Sequence, residues 1–122
     1  MNEEPAVRAA VQAYFDALYD GDVEGFRRVF HPACRLYTVG EDGAVATIDY
    51  EPYLARVAGR PSPASRGDAR DDEILALTVT GPAMAHARVR DCYQPRRFVN
   101  ELTLLKVEDA WRIVAKVYCT LA

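Results

Sequence analysis

No stretch of the 122 residues approaches the roughly 20 consecutive apolar residues that a membrane-spanning helix needs. The opening MNEEPAVRAA is acidic where a secretory leader would carry an apolar core. The expectation is a soluble, cytoplasmic chain. An excess of one charge is also missing: 15 Lys and Arg stand against 18 Asp and Glu, net −3, and neither sign gathers into a block. That excludes the basic footprint of a nucleic-acid binder. Cysteine is scarce, and Cys34, Cys92 and Cys119 are odd in number, far apart and without a CxxC pair. A disulfide framework and a zinc site both lack their ligands, so the three read as reduced thiols. There is no nucleophile elbow, phosphate loop or ligand-spaced His/Cys set. Thr38, Ser62, Ser65 and Thr103 have no histidine base at a readable spacing. Covalent and metal chemistry are disfavoured, and no cofactor is implied.

What is present is an ordinary globular composition, 50% hydrophobic, of a length that builds one core, so residues 1–122 read as a single domain. Val7, Ala10, Val11, Tyr14 and Leu18 recur at helical spacing between Pro5 in a first turn and Gly21 as a stop. Asp22 can cap a second, shorter helix with the stripe Val23, Phe26, Val29 and Phe30, ended by Pro32. Two short strands follow, 34–39 and 44–48, around Gly40-Glu41-Asp42-Gly43. Asp49 can cap a third helix carrying Tyr53, Leu54 and Val57, closed by Gly59. The polar stretch RPSPASRGDAR reads as a mobile loop. Four strand-like runs then cover roughly 72–80, 83–93, 97–107 and 110–120. Helices packed on one face of a curved antiparallel sheet make this an α+β domain.

The order of these elements, the helix pair ending in FHP and the closing pattern FVNELTLLKVEDAWRIVAKVY resemble the NTF2-like superfamily, with its cystatin-like cone of three helices on a curved, mostly antiparallel sheet. Within it the chain is similar to the small bacterial proteins described as "putative lumazine-binding", related to the polyketide-cyclase-like and ketosteroid-isomerase-like branches. The resemblance spans nearly the whole chain and implies the fold. Activity is open, because this superfamily hosts isomerases, dehydratases, cyclases and non-catalytic binders.

Strand register decides which residues share a face. The tightest connections are two-residue turns at Gly81-Pro82 and Glu108-Asp109 and a four-residue turn from Gln94 to Arg97. They predict an alternating row Glu73, Arg90, Glu101, Lys116 on one face, with Leu75, Leu77, Val79, Met84, His86, Arg88, Leu105, Val114 and Tyr118 around it. A mixed apolar and charged face suggests a partner surface. In the families resembled, two subunits commonly pack there, which implies a homodimer through Leu75, Leu77, His86, Arg88, Leu105 and Val114. The opposite face carries Ala76, Ala85, Ala87, Val89, Leu102, Leu104, Trp111, Ile113, Ala115, Val117 and Cys119 as the core. Its small residues leave room either for large helix side chains or for a cavity.

Asp91 and Asn100 fall on that core face, beside Asp72, Tyr93 and Phe98. A core-facing carboxylate is costly unless paired or wetted. Asp91 is therefore the candidate general base or acid, a role that requires partial burial and a nearby Asp72 to raise its pKa, or else a solvated residue near the turn Tyr93-Gln94-Pro95. Asn100 can orient a carbonyl but cannot take a proton. The resembled proteins often carry an acid at that position. Tyr14, Tyr37, Tyr53 and Trp111 complete the candidate ligand-binding set, suited to a flat aromatic ligand and equally to a filled core. His31 reads as a structural residue that satisfies free carbonyls at the end of the second helix.

Three functions remain open at this point. The first is a small-molecule binder with a pocket, between helices and sheet, for a small apolar or aromatic ligand. The second is a cofactor-free isomerase, dehydratase or cyclase acting by proton transfer. The third is a dimerisation module without a ligand.

Overall fold

A computed structural model describes residues 2–121. Helix α1 runs Glu4–Asp20, with Pro5 in its first turn. It stops at Gly21, whose φ of 64° is left-handed and whose missing Cβ would lie 2.8 Å from that of Ser62. Helix α2 is Val23–Val29, and β1, Phe30–Val39, starts immediately after it. The rest is β2 (Val45–Asp49), α3 (Tyr50–Ala58), β3 (Glu73–Gly81), β4 (Met84–Tyr93), β5 (Arg96–Val107) and β6 (Ala110–Thr120). The α+β architecture expected from the sequence is the one observed: three helices on a six-stranded sheet of order β2-β1-β6-β5-β4-β3, antiparallel except where β1 lies parallel to β6. Among the described residues no helix is long and apolar enough to cross a membrane.

The core forms because the apolar stripe of α1 (Val7, Val11, Tyr14, Phe15, Leu18), with Phe26 of α2, Phe30 at the start of β1 and Tyr53 of α3, settles onto the alternating inner residues of β4–β6. Four rings fill its centre. Tyr14 stacks on Phe30 at 5.9 Å, Phe30 on Tyr53 at 5.9 Å, and Phe26 meets Tyr53 edge-on at 5.6 Å. Of the predicted inner face, Ala85, Ala87, Val89, Leu102, Leu104, Trp111 and Ile113 are buried.

The predicted row of charges is broken. Glu73 does oppose Arg90, but a bulge after Ile74 shifts β3 by one residue and turns Leu77 and Val79 toward the core, while Ala76 faces outward opposite Arg88. The β4–β5 turn is tighter than predicted, so Tyr93 opposes Arg96 and the register moves by two, which keeps every side chain on its predicted face. Glu101 therefore opposes Arg88, and their ion pair is 3.0 Å. In β6 a second irregularity separates the pairs Leu104–Ile113 and Thr103–Ala115. Beyond it the faces exchange: Lys116 opposes Leu102 and is buried, while Val117 and Cys119 are exposed.

Segment 60–72 is anchored and not loose: the Tyr93 hydroxyl donates to Pro61 O (2.7 Å), the Tyr19 hydroxyl to Asp68 O (2.5 Å), and Ala64 N–H to Tyr19 O (3.0 Å). His31 accepts the Ala33 N–H at Nδ1 (3.0 Å). The free carbonyls beside it, of Arg27 and Phe30, are taken by the guanidinium of Arg112 at 3.0 and 2.9 Å. His31 is thus structural, but its predicted bonds belong to a cation on β6.

The β5–β6 turn places Glu108 and Asp109 at φ of 50° and 65°, the paired left-handed geometry that favours Asn-Gly. The double substitution Glu108→Asn/Asp109→Gly is expected to raise the unfolding free energy by about 1 kcal/mol. A urea titration checks it, and an unchanged midpoint would mean that the turn holds no such strain.

Candidate functional site

One polar chain crosses the core. The Tyr14 hydroxyl, projected from the buried stripe of α1, donates to Asp91 Oδ2 at 2.5 Å, and Asn100 Nδ2 donates to the same oxygen at 2.9 Å. Lys116 Nζ donates to the Tyr14 hydroxyl at 2.9 Å. All four side chains are buried, from 0% exposure for Tyr14 and Asn100 to 6% for Lys116. Strand alternation explains Asp91 and Asn100, which lie on the inner face beside Val89 and Leu102. Lys116 arrives there through the β6 irregularity. A buried lysine without a partner is rare. Here its ammonium has the Tyr14 hydroxyl and three tyrosine faces around it, those of Tyr14, Tyr53 and Tyr118, with centroids at 5.1, 5.3 and 5.6 Å.

Burial, then the negative charge of Asp91, pushes the Tyr14 phenol well above its ordinary value of 10.0. Tyr14 stays a neutral donor in the working range. Both hydrogen bonds to Asp91 fall on Oδ2, and Oδ1 takes none among the described residues.

Asp91 and Lys116 form part of the wall of a cavity of about 280 Å³, open at one end of the cone between α3 and the sheet. Its apolar lining is Leu18, Leu36, Ile48, Tyr53, Phe98 and Tyr118, and Arg56, Arg60, Arg96 and Tyr93 also line it. On its other side Asp91 borders a water-sized niche with Asp68, Asp71 and Asp72. Asp72 is paired with Arg70 at 3.0 Å, so it approaches Asp91 as a neutralised group.

The predicted candidates separate accordingly. Asp91 and Tyr53 line the cavity, while Tyr14 and Asn100 stand behind Asp91 and hold it. Tyr37 lies outside it, on the opposite face of the sheet, where it lines a shallow groove with Val39, Val99 and Val117. Trp111 is at the far end of the core, its Nε1 donating to Glu3 Oε1 (2.9 Å) beside the Lys106–Glu3 ion pair (2.8 Å). Sequence reading missed Lys116, the three arginines and Tyr118. The one available signal for Lys116 was a single lysine inside the apolar run IVAKVY.

Three helices on a six-stranded sheet, with a cavity between them, make an NTF2-like, cystatin-like fold. The family model described as "Putative lumazine-binding" matches residues 2–119, and the chain belongs to that family. An NTF2-like protein of unknown function from Shewanella baltica OS155 is 22% identical, the match covering 98% of this chain and 94% of that one, with a TM-score of 0.86. Another, from Silicibacter pomeroyi DSS-3, is 23% identical over 99% and 100% of the two chains, with a TM-score of 0.81. A ketosteroid isomerase-like protein from Erwinia carotovora atroseptica SCRI1043 is 14% identical over 99% and 98%, with a TM-score of 0.74. At these identities the likeness is one of fold. No curated protein matches the chain.

Removing the hydroxyl in Tyr14→Phe should cost about 1–3 kcal/mol of stability, because Asp91 loses a donor and Lys116 its acceptor. The raised phenol pKa fixes the pH dependence. Below the ordinary value of 10.0 Tyr14 is protonated in both folded and unfolded chains and its contribution is complete. Above it the unfolded chain loses the proton first, so stability falls as pH rises. Urea midpoints measured from neutral to strongly alkaline pH should show that fall, with a shallower slope in Tyr14→Phe; equal slopes would contradict this placement of Tyr14.

Proposed function

We propose that the protein binds a small molecule with an apolar or aromatic body in the cavity between α3 and the sheet. The observation that carries this reading is the cavity itself, of about 280 Å³, with apolar walls and with Asp91 and Lys116 in its lining. Membership in a family described as "Putative lumazine-binding" supports the same reading. A module built only for dimerisation has no need of such a space. Titration with 2-naphthamide, followed by amide NMR shifts, is expected to perturb Leu36, Ile48, Phe98 and Tyr118. The cavity-filling Leu36→Trp variant should abolish those shifts. Perturbations confined to the outer sheet face would contradict the proposal.

A second reading, proton transfer as in an isomerase, dehydratase or cyclase, is favoured by the arrangement around Asp91. Two donors fix Oδ2, and Oδ1 is left without a protein partner among the described residues. Such a carboxylate can take a proton from carbon next to a bound carbonyl. The Tyr14 and Asn100 donors are spent on Asp91, so the group placed to stabilise the developing oxyanion is Lys116. Deuterium exchange of 2-tetralone in D₂O reads this directly. Catalysed exchange that drops by about 100-fold or more in Asp91→Asn supports the enzyme. Binding without exchange leaves the binder alone.

The outer sheet face carries exposed Leu75, Met84 and Leu105 around His86, Arg88 and Val114, and we propose it as a homodimer interface. Leu77, turned toward the core, drops out of the expected set. Sedimentation should find a dimer in the native chain and a monomer in Leu105→Asp; a native monomer would contradict it.

A further inference from the structure

Thirteen arginines are present. Nine lie within 4.0 Å of a carboxylate: Arg8, Arg27, Arg28, Arg35, Arg66, Arg70, Arg88, Arg90 and Arg97. Arg112 instead holds two backbone carbonyls. The remaining three, Arg56, Arg60 and Arg96, have neither kind of partner among the described residues, and all three line the one cavity. Their exclusion from the ion-pair network is selective, since carboxylates exceed basic residues in the chain as a whole.

Lys116 adds a fourth basic group deeper in the same space, and it too has no carboxylate within ion-pair distance among the described residues. Asp91 is the single carboxylate on the wall, and its Oδ2 is already hydrogen-bonded. Arg60 is held in place, its guanidinium stacked 4.0 Å from the centre of the Tyr93 ring, and Arg66 covers the same ring at 4.4 Å. Stacking of this kind leaves the edge N–H groups of Arg60 free to donate, and a planar guanidinium is shaped for a carboxylate or phosphate. The cavity is a basic pocket in a protein of net charge −3. Field lines in a concave, low-dielectric site draw in ligands of the opposite sign.

We propose that the ligand is an organic anion. Its apolar or aromatic body is taken by Leu36, Ile48, Phe98 and Tyr118, and its carboxylate or phosphate by Arg56, Arg60 and Arg96. This rests on the binding reading above and adds the ligand's charge to it.

Three probes of one shape separate the possibilities: 2-naphthoate, 2-naphthyl phosphate and the neutral 2-naphthamide, each titrated into the intact protein by NMR. The native chain should bind at least one anion about tenfold or more tighter than the amide, as expected for charge-assisted hydrogen bonds. Which anion is preferred assigns the carboxylate or the phosphate. In Arg56→Gln/Arg60→Gln/Arg96→Gln that preference should fall to about twofold or less. The double variant Arg56→Gln/Arg96→Gln keeps the Arg60–Tyr93 stack and should lose most of the preference if the triple variant proves unstable. Equal binding of amide and anions by the native chain would overturn the anion proposal and leave the cavity reading standing. Binding of none of the three would overturn both.

Discussion

The site depends on the buried hydrogen-bond chain from Lys116 through the Tyr14 hydroxyl to Asp91, joined there by Asn100. It links the first helix to three strands in one step. A carboxylate and an amine taken out of water each cost several kcal/mol, and neither is tolerable alone. Placed about one phenol apart, they satisfy one another through a neutral relay, and Tyr14 is kept neutral by the same burial that makes the arrangement necessary. The aromatic stack of Tyr14, Phe30 and Tyr53 fixes the ring from one side, so the hydroxyl has little freedom to leave Asp91.

The same chain sets the geometry of the cavity. Tyr14 from the helix layer and Asn100 from the neighbouring strand both hold Oδ2 of Asp91, and Asp91 also lines the cavity. Around it the charges are sorted. Asp68, Asp71 and Asp72 of segment 60–72 lie on the niche side, where Arg66, Arg90 and Arg70 neutralise them. Arg56, Arg60 and Arg96, without a carboxylate partner among the described residues, lie on the cavity side. Tyr93 joins the two regions, its hydroxyl bonded to Pro61 and its ring held between Arg60 and Arg66. Asp91 is thereby the single negative group in a basic pocket.

Much of this was legible in the sequence. Helix stripes and turn residues marked the element order, because apolar periodicity and Gly or Pro stops are local signals, while Asp22 and Asp49 stand at the N-cap positions without making a side-chain capping bond. Asp91 and Asn100 were recognisable as polar residues on an apolar alternating face, and a register error of two residues left them there. Lys116 was not legible. Its inward direction depends on a bulge near Val114 that no local residue pattern announces, and in the simple register it completed a plausible row with Glu101. Tyr37 and Trp111 were misplaced for a related reason: both are aromatic residues of strands, but which end and which face they occupy follows from pairing across the sheet. The basic pocket was equally hidden. Arg56, Arg60 and Arg96 come from a helix, a loop and a strand, and only the ion pairs made elsewhere show that these three were left out.

Asp91 and Lys116 are coupled through the Tyr14 hydroxyl. A double-mutant cycle of Asp91→Asn and Lys116→Met, with unfolding free energies from urea titration, tests it most directly. Each single change should be destabilising by about 3–5 kcal/mol, since it strands the other buried group. The double change should cost at least about 1 kcal/mol less than the sum of the two. Additivity to within roughly 0.3–0.5 kcal/mol would show that the two groups do not sense each other, and would contradict the account.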